Sequence, residues 1–321
     1  MTVKYIAVTK ENSGERLDKF LKREFFSYSR GEIIRNIRAG NILVNSKKVK
    51  SSYVLKEGDI IKSKIKNQKS KLISNSNIKF SVIYKNEDII MINKPAGLSV
   101  HPVKSNENDT LANGLLAKFT EIKNIHDDSK NAHLRPGIIH RLDKDTSGVM
   151  VIARNMKAYE GLKKIFKERK VDKKYLAIVR GILKDKKGVI KKPIARAKTY
   201  RKQVIAGRKT KTKIREAITE YKVLKEFDNY SLLEVTPKTG RMHQIRVHLF
   251  SIGHPIVGDK LYKLKKAKLF PAKLSFKMTR QLLHAQQLIF DLGGKKYKFS
   301  ARPPKDFADF LGFLDEGKIK S

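Results

Sequence analysis

The sequence predicts an α+β protein: a small N-terminal α/β module followed by a larger domain of strands with flanking helices. Three observations carry this. Residues 1–61 hold a self-contained pattern of two short amphipathic helices and a hairpin. Residues 62–78 mix Lys, Ile, Ser and Asn without periodicity, which reads as a flexible basic linker. Residues 79–314 alternate strand-like apolar runs with helical stretches over a length that suits one large domain, and 315–321 read as a tail.

In the first module, Leu17, Phe20 and Leu21 share one face of a helix. Ser29 and Glu32 have capping-box spacing, which marks a second helix start. Ile33, Ile34 and Ile37 give that helix its apolar stripe, and Gly40 fits its C-terminal cap. Ile42-Leu43-Val44 reads as a strand, with turns at Asn45-Ser46 and Glu57-Gly58-Asp59. Arg30, Arg35, Arg38, Lys47, Lys48 and Lys50 make one side basic, which suits phosphate docking. An ordinary solvated face is the plainer alternative. Asp18 lies within the first amphipathic helix and reads as structural.

The large domain opens with two strands, Lys79–Tyr84 and Asp88–Asn93, around a tight turn at Asn86-Glu87. Pro95 and Gly97 force the next turn; Lys94 or His101 could meet phosphate, yet the Pro/Gly geometry alone explains much of the stretch. Thr110–Phe119 reads as a short helix and Asn155–Arg169 as a basic amphipathic one. In the strand Lys173–Gly181, Tyr175, Ala177 and Val179 share a face, so Tyr175 is either a core residue or a base-stacking one. Residues 184–215 are dense in Lys and Arg, as a β-region lining a nucleic-acid groove would be. Strands resume at 217–225 and 230–235. Arg241–Leu249 fits a helix with Met242, Ile245 and Leu249 on one side. Residues 253–259 read as a polar loop, 260–280 as a basic surface insertion, 281–290 as a strand and 306–314 as a last helix.

Between Gly137-Ile138-Ile139 and Val149–Ala153 sits His140-Arg141-Leu142-Asp143-Lys144-Asp145-Thr146-Ser147-Gly148. A polar knot between apolar runs reads as a loop carried on buried strands, where scaffolds present chemistry. The chain carries 72 basic against 31 acidic residues, a net +41, which calls for a polyanion such as nucleic acid unless a drift toward Lys, Ile and Asn inflates it. The absence of cysteine excludes thiol chemistry, and the eight histidines show no metal-binding spacing, so a metal site is not indicated. No apolar run approaches the roughly 18 residues of a membrane span, so a soluble, cytoplasmic protein is expected; separately, it is expected to be a monomer. What remains is a carboxylate among cations. Arg141, Lys144 and Arg246 would hold Asp143 ionised, able to attack an anomeric carbon or abstract a sugar proton. A buried Arg246 would need a carboxylate partner, for which Asp143 is a candidate. Asp145 reads as a local cap that shapes the turn. With Tyr175 and a basic surface, this suggests chemistry on a flipped nucleoside of RNA.

The stretch Arg135–Gly148 resembles the signature of the RluA family of RNA pseudouridine synthases. The resemblance continues through Asn93–Leu98 with His101-Pro102, Lys174–Ala177, Thr239–His248, Ile252–Pro255 with Gly258-Asp259, and Leu283–Ala285. Residues 1–61, through Arg16–Leu21 and Val44–Val49, resemble the RNA-binding domain shared with ribosomal protein S-four. The resemblance implies a mixed, mostly antiparallel central sheet with a catalytic cleft across it. It implies isomerisation of uridine to pseudouridine, most closely in the manner of the large-subunit ribosomal RNA enzymes of C and D type, without cofactor or metal. It assigns Asp143 to cleavage of the N-glycosidic bond, Tyr175 to packing on the base and to the C5 proton, and Arg246 to pairing with Asp143. Arg141 matches an arginine that holds the flipped geometry, and Arg241 is expected to contact RNA. Met242 stands where threonine is usual, which removes one local hydrogen bond. Two other readings stay in view: a non-catalytic RNA-binding or ribosome-assembly factor, and an N-glycosylase that would need Asp145 as a second carboxylate.

Overall fold

The computed structural model describes residues 3–25, 28, 30–65, 71–102, 107–129, 131–197, 202–208, 210–264 and 278–317. The chain divides into two compact units: Met1–Lys71 with Val103–Glu107, and Leu72–Pro102 with Asn108–Ser321.

In the first unit, β1 (Lys4–Ala7), α1 (Leu17–Glu24), α2 (Arg30–Arg38), β2 (Ile42–Val44) and β3 (Ile60–Ser63) follow in order. The three strands form an antiparallel sheet in the order β1-β3-β2. Leu17, Phe20, Leu21, Ile33 and Ile37 fill the core, as their helical spacing predicts. Strand β1 has no fully buried residue, and only Ile6 packs against the core. Strand β3 runs past residue 61, and Ile65 is buried in the same core, so the expected boundary falls inside the fold. Asp18 is fully buried and takes hydrogen bonds from Arg16 at 3.1 Å and Arg30 at 2.6 and 3.0 Å. Burial alone would raise its pKa, but the two guanidinium groups outweigh that and lower it. Its role is structural. Ser29, the expected cap of α2, lies outside the described residues.

The linker expected over 62–78 is shorter than its composition suggests. Leu72 packs on the core of the second unit. Asn113 Nδ2 donates to the Ile73 carbonyl at 2.7 Å, and Asn75 N–H donates to the Asn113 carbonyl at 3.0 Å. Residues 66–70 lie outside the described residues.

The second unit runs β4 (Ser81–Lys85), β5 (Ile89–Lys94), α3 (Leu111–Lys118), β6 (Ser147–Ala153), α4 (Met156–Lys167), β7 (Val171–Arg180), β8 (Lys187–Lys191), β9 (Ile194–Arg196), β10 (Gln203–Ile205), β11 (Ile218–Phe227), β12 (Tyr230–Pro237), α5 (Gln244–Ser251), β13 (Leu283–Leu292), β14 (Lys295–Ser300) and α6 (Lys305–Asp315). A nine-stranded sheet has the order β4-β5-β6-β13-β7-β12-β11-β8, with β14 on β13. The β6–β13 pair is parallel and the others are antiparallel, giving the mixed, mostly antiparallel sheet that the resemblance implies. β9 and β10 form a separate hairpin within the basic stretch.

All seven residues of β6 are buried, so it reads as one apolar run rather than an alternation. Its first turn needs Gly148: a Cβ there would lie 2.2 Å from the Ala285 carbonyl oxygen on β13. One core packs β5, β6, α3 and α4. Along β7, Ala177 and Val179 face α5, while Leu176 and Ile178 face α6. Two expected bounds shift. α5 starts at Gln244 rather than 241, because His243 adopts left-handed φ of 54°. α6 extends through Asp315, past the expected domain end.

Candidate active site

The loop from His140 to Thr146 is held from four sides. The His140 ring stacks on Phe166 of α4, with centroids 4.7 Å apart, and its Nε2 accepts from Val151 N–H at 3.1 Å. Burial, with help from the nearby Lys173, lowers its pKa to about 3, so the ring is neutral. The Leu142 side chain is buried in the core. Beneath the loop, Lys94 Nζ donates to the carbonyls of Pro95 at 2.7 Å, Leu98 at 2.8 Å and Lys144 at 3.0 Å. Burial lowers the Lys94 pKa to about 7, while Asp145 and Asp143 oppose the shift and Arg280 adds to it. Lys94 is fully buried, so it braces the loop instead of meeting phosphate as expected. On the far side, Arg280 donates to the Asp145 carbonyl at 3.1 Å while gripping Asp306 at 2.6 and 2.7 Å. Asp145 thus joins the scaffold through its backbone, with its carboxylate supporting the Lys94 charge.

These supports leave Asp143 partly open, with 18% of its side chain exposed, against 6% for Arg246. Arg246 Nη1 donates to Asp143 Oδ2 at 3.0 Å. The expected pair is therefore present, but it is the weaker half of the arrangement. Arg246 Nε and Nη2 donate to Asp259 at 2.7 and 2.9 Å. Asp259 is fully buried at its side chain and also accepts from the backbone N–H groups of Leu261 and Tyr262. Burial would lower the Arg246 pKa, but Asp259 and then Asp143 outweigh it and raise it, so the cation is permanent. The Arg246 guanidinium also lies over the Tyr262 ring at 5.3 Å.

Asp259 and Tyr262 were not expected in the site, because one reads as a turn residue and the other falls in a basic surface segment. The available signal is stoichiometric: a buried guanidinium has more donors than Asp143 can satisfy, so a second acceptor must exist. Gly258 makes the turn possible, since a Cβ there would lie 1.9 Å from the Arg280 carbonyl oxygen. Residues 265–277 of the expected insertion lie outside the described residues.

The Thr239–His248 motif has a second, structural layer. Gln244 Oε1 accepts from Thr239 Oγ1 at 2.6 Å and from Arg241 N–H at 3.1 Å. Gln244 Nε2 donates to the Ile218 carbonyl and Thr219 Oγ1, and His248 bridges Thr219 Oγ1 and the Lys192 carbonyl. This network pins α5 to β11 and so fixes where Arg246 points. Tyr175, on β7, touches the cores on both sides of it and is partly exposed. Burial, then the Asp143 charge, raises its pKa, so the phenol stays protonated and lies near Asp143.

The remaining expected contacts are spread over both units. Arg141 is exposed beside the loop, where Nη1 donates to His101 Nε2 at 3.3 Å. Arg241 Nε donates to the Glu216 carbonyl at 3.3 Å. In the first unit, Arg35, Arg38, Lys47 and Lys48 are exposed, and a groove of about 420 Å³ is lined by Arg38, Lys48, Val49, Lys50, Ser51 and Ser52. Arg30 is instead committed to Asp18, with about half its side chain exposed. Among the described residues no cluster of His, Cys, Asp or Glu could hold a metal ion, and no helix is long and apolar enough to cross a membrane.

The chain is similar to known proteins over nearly its whole length. Residues 88–251 match the RNA pseudouridylate synthase family, and residues 15–61 match the S4 domain. The chain is 39% identical to an RNA pseudouridine synthase of Aquifex aeolicus over 95% of its length and 96% of the relative's. It is 36% identical to ribosomal large subunit pseudouridine synthase D of Borreliella burgdorferi, over 96% of this chain and 92% of that one. With ribosomal large subunit pseudouridine synthase C of Buchnera aphidicola it shares 32% over 94% of each. Human RNA pseudouridylate synthase domain containing 1 superposes with a TM-score of 0.58 at 27% identity, over 76% of this chain and 89% of that one. The motifs, the mixed sheet and these similarities lead to one conclusion: the chain belongs to the RNA pseudouridine synthase family, an isomerase of uridine in RNA that carries an S4 RNA-binding domain.

Proposed function

We propose that the RNA is large-subunit ribosomal RNA and that Asp143 is the group that opens the N-glycosidic bond of the target uridine. The supporting observation is the Asp143–Arg246–Asp259 arrangement, which aims one partly exposed carboxylate outward from a buried cation. The relatives named for large-subunit ribosomal RNA, alike over nearly the whole chain, support the choice of substrate.

In this reading the target nucleotide is flipped out and Arg141 occupies the space beside it. Asp143 breaks the N1–C1′ bond, by attack at C1′ or by taking a ribose proton. The freed uracil rotates and C5 bonds to C1′ as the Asp143–C1′ bond breaks or, in the second route, as Asp143 returns the ribose proton. The C5 proton leaves to solvent, and N1 regains a proton, so the reaction is balanced without a redox partner. Tyr175 packs on the base and assists removal of the C5 proton. Arg246 stabilises the Asp143 carboxylate, and Arg35, Arg38, Lys47, Lys48 and Arg241 contact RNA phosphate, with Arg30 anchoring α2 beside them. The protein acts in the cytoplasm as a monomer, without cofactor.

Mapping pseudouridine in ribosomal RNA with and without this gene product tests the reading. Loss of one or a few large-subunit sites supports it. An unchanged map overturns the substrate, and free uracil released from RNA by the purified protein would indicate glycosylase chemistry instead.

A further inference from the structure

His243 lies beside Asp143, and none of the chemistry above uses it. It sits at the N-terminal border of α5 with φ of 54°, a conformation that side chains other than glycine adopt at a cost. Such strain persists where surrounding contacts fix it, and here they do. The ring meets Tyr262 edge-on, with centroids 5.8 Å apart, and Nδ1 lies 3.1 Å from Tyr262 Oη. Tyr262 Oη in turn accepts from Gln203 N–H at 2.8 Å and donates to the Gln203 carbonyl at 3.1 Å. The phenol carries a single proton. Given to the Gln203 carbonyl, it leaves the oxygen to accept from Nδ1–H of His243. Nε2 then holds a bare lone pair, 3.9 Å from Asp143 Oδ2. Two acceptors that close together, both partly exposed, are poised to share a donor from outside the protein.

We propose that His243 is a substrate-contacting residue of this site: its neutral Nε2, together with Asp143 Oδ2, receives the ribose 2′-hydroxyl of the flipped uridine. This rests on the assignment of Asp143 to the N-glycosidic bond. A nucleotide inside an RNA strand offers two donors, the 2′-hydroxyl and uracil N3–H. The 2′-hydroxyl is bonded to the carbon next to C1′, where Asp143 acts, so it is the donor that comes between these acceptors. The contact also distinguishes RNA from DNA at the reacting nucleotide.

Four charged groups and one hydrogen-bond partner face His243. Asp143 and Arg141 face it from the loop before β6, Arg246 from α5, and Asp259 and Tyr262 from the turn after α5. Burial lowers its pKa first, Arg246 and Arg141 add to this, and Asp143 and Asp259 oppose it, with a net decrease. The ring is therefore neutral at neutral pH. In acid, a protonated Nε2 turns to Asp143 and closes the space meant for the hydroxyl.

The test compares wild type, His243→Asn and His243→Gln on RNA carrying either uridine or 2′-deoxyuridine at the mapped site, with folding checked by circular dichroism. Asn tolerates left-handed backbone and keeps the Tyr262 contact, but cannot reach the Nε2 position. Gln can place an amide oxygen there. On uridine RNA, His243→Asn is expected to lose about tenfold or more in kcat/KM, and His243→Gln to recover part of it without the acid limb of the wild-type pH profile. On 2′-deoxyuridine RNA, wild type and His243→Asn are expected to converge, in binding affinity if turnover is undetectable. Equal discrimination against 2′-deoxyuridine by wild type and His243→Asn overturns the contact, as does full activity of His243→Asn on uridine RNA.

Discussion

Arg246 and Asp259 form a buried two-point ion pair, Nε to Oδ2 at 2.7 Å and Nη2 to Oδ1 at 2.9 Å. This fork fixes the plane of the guanidinium, so Nη1 is left to meet Asp143 at 3.0 Å across 103 positions of sequence. Asp259→Asn leaves a buried cation with half its partners. It is expected to cost about 3–5 kcal/mol of stability and to lower turnover even in protein that remains folded. Denaturant unfolding and single-turnover kinetics check both, and an unchanged turnover would mean that Asp143 orients Arg246 unaided.

Lys94 gives a pH-dependent prediction. Its folded pKa, about 7, lies below the unfolded 10.5. Between these values the unfolded chain binds more protons, so this group makes stability rise with pH, by at most about 1.4 kcal/mol per unit. Lys94→Met has no such proton and leaves three carbonyls without their donor. The wild type's advantage over it is expected to widen from pH 7 to pH 9 in urea titrations. A constant difference across that window would show that Lys94 stays charged in the fold.

Tyr175 stays protonated because burial and Asp143 both disfavour the phenolate. Tyr175→Phe preserves the ring that would pack on the base and removes only the hydroxyl. RNA affinity should be retained while turnover falls on the order of 10²–10⁴-fold. An unchanged rate would limit Tyr175 to packing.

The phosphate contacts proposed for the S4 domain make its expected contribution electrostatic and salt-dependent. Replacing Arg35, Arg38, Lys47 and Lys48 together by Ala is expected to weaken RNA binding. The slope of log K against log salt should fall by about 0.7–0.9 for each phosphate that these side chains neutralise in the wild type. Turnover at saturating RNA should stay the same. A preserved slope would place the RNA elsewhere on the protein.

Local patterns were legible where one segment specified its own structure. The stripe of Leu17, Phe20 and Leu21, the Thr110 and Asn155 helix starts, and the apolar run of β6 all fold as their spacing indicates. The loop around Asp143 was legible as a polar knot between buried strands, and Arg246 through its need for a carboxylate. What stayed hidden depends on contacts remote in sequence. Lys94 looks like a phosphate ligand until the fold surrounds it with three carbonyls. Asp259 and Tyr262 look like surface residues until Arg246 and His243 are brought against them. The early end expected for the first domain has the same origin, since β3 is completed by hydrogen bonds to β1 rather than by its own apolar pattern.

The most direct measurement is tritium release from RNA labelled at uridine C5. Wild type and Asp143→Asn are incubated with large-subunit ribosomal RNA, and affinity is measured in parallel. Wild type is expected to release tritium to water without freeing uracil, while Asp143→Asn binds the same RNA and releases none. Tritium release by Asp143→Asn at the wild-type rate would contradict the assignment of Asp143 as the reacting carboxylate.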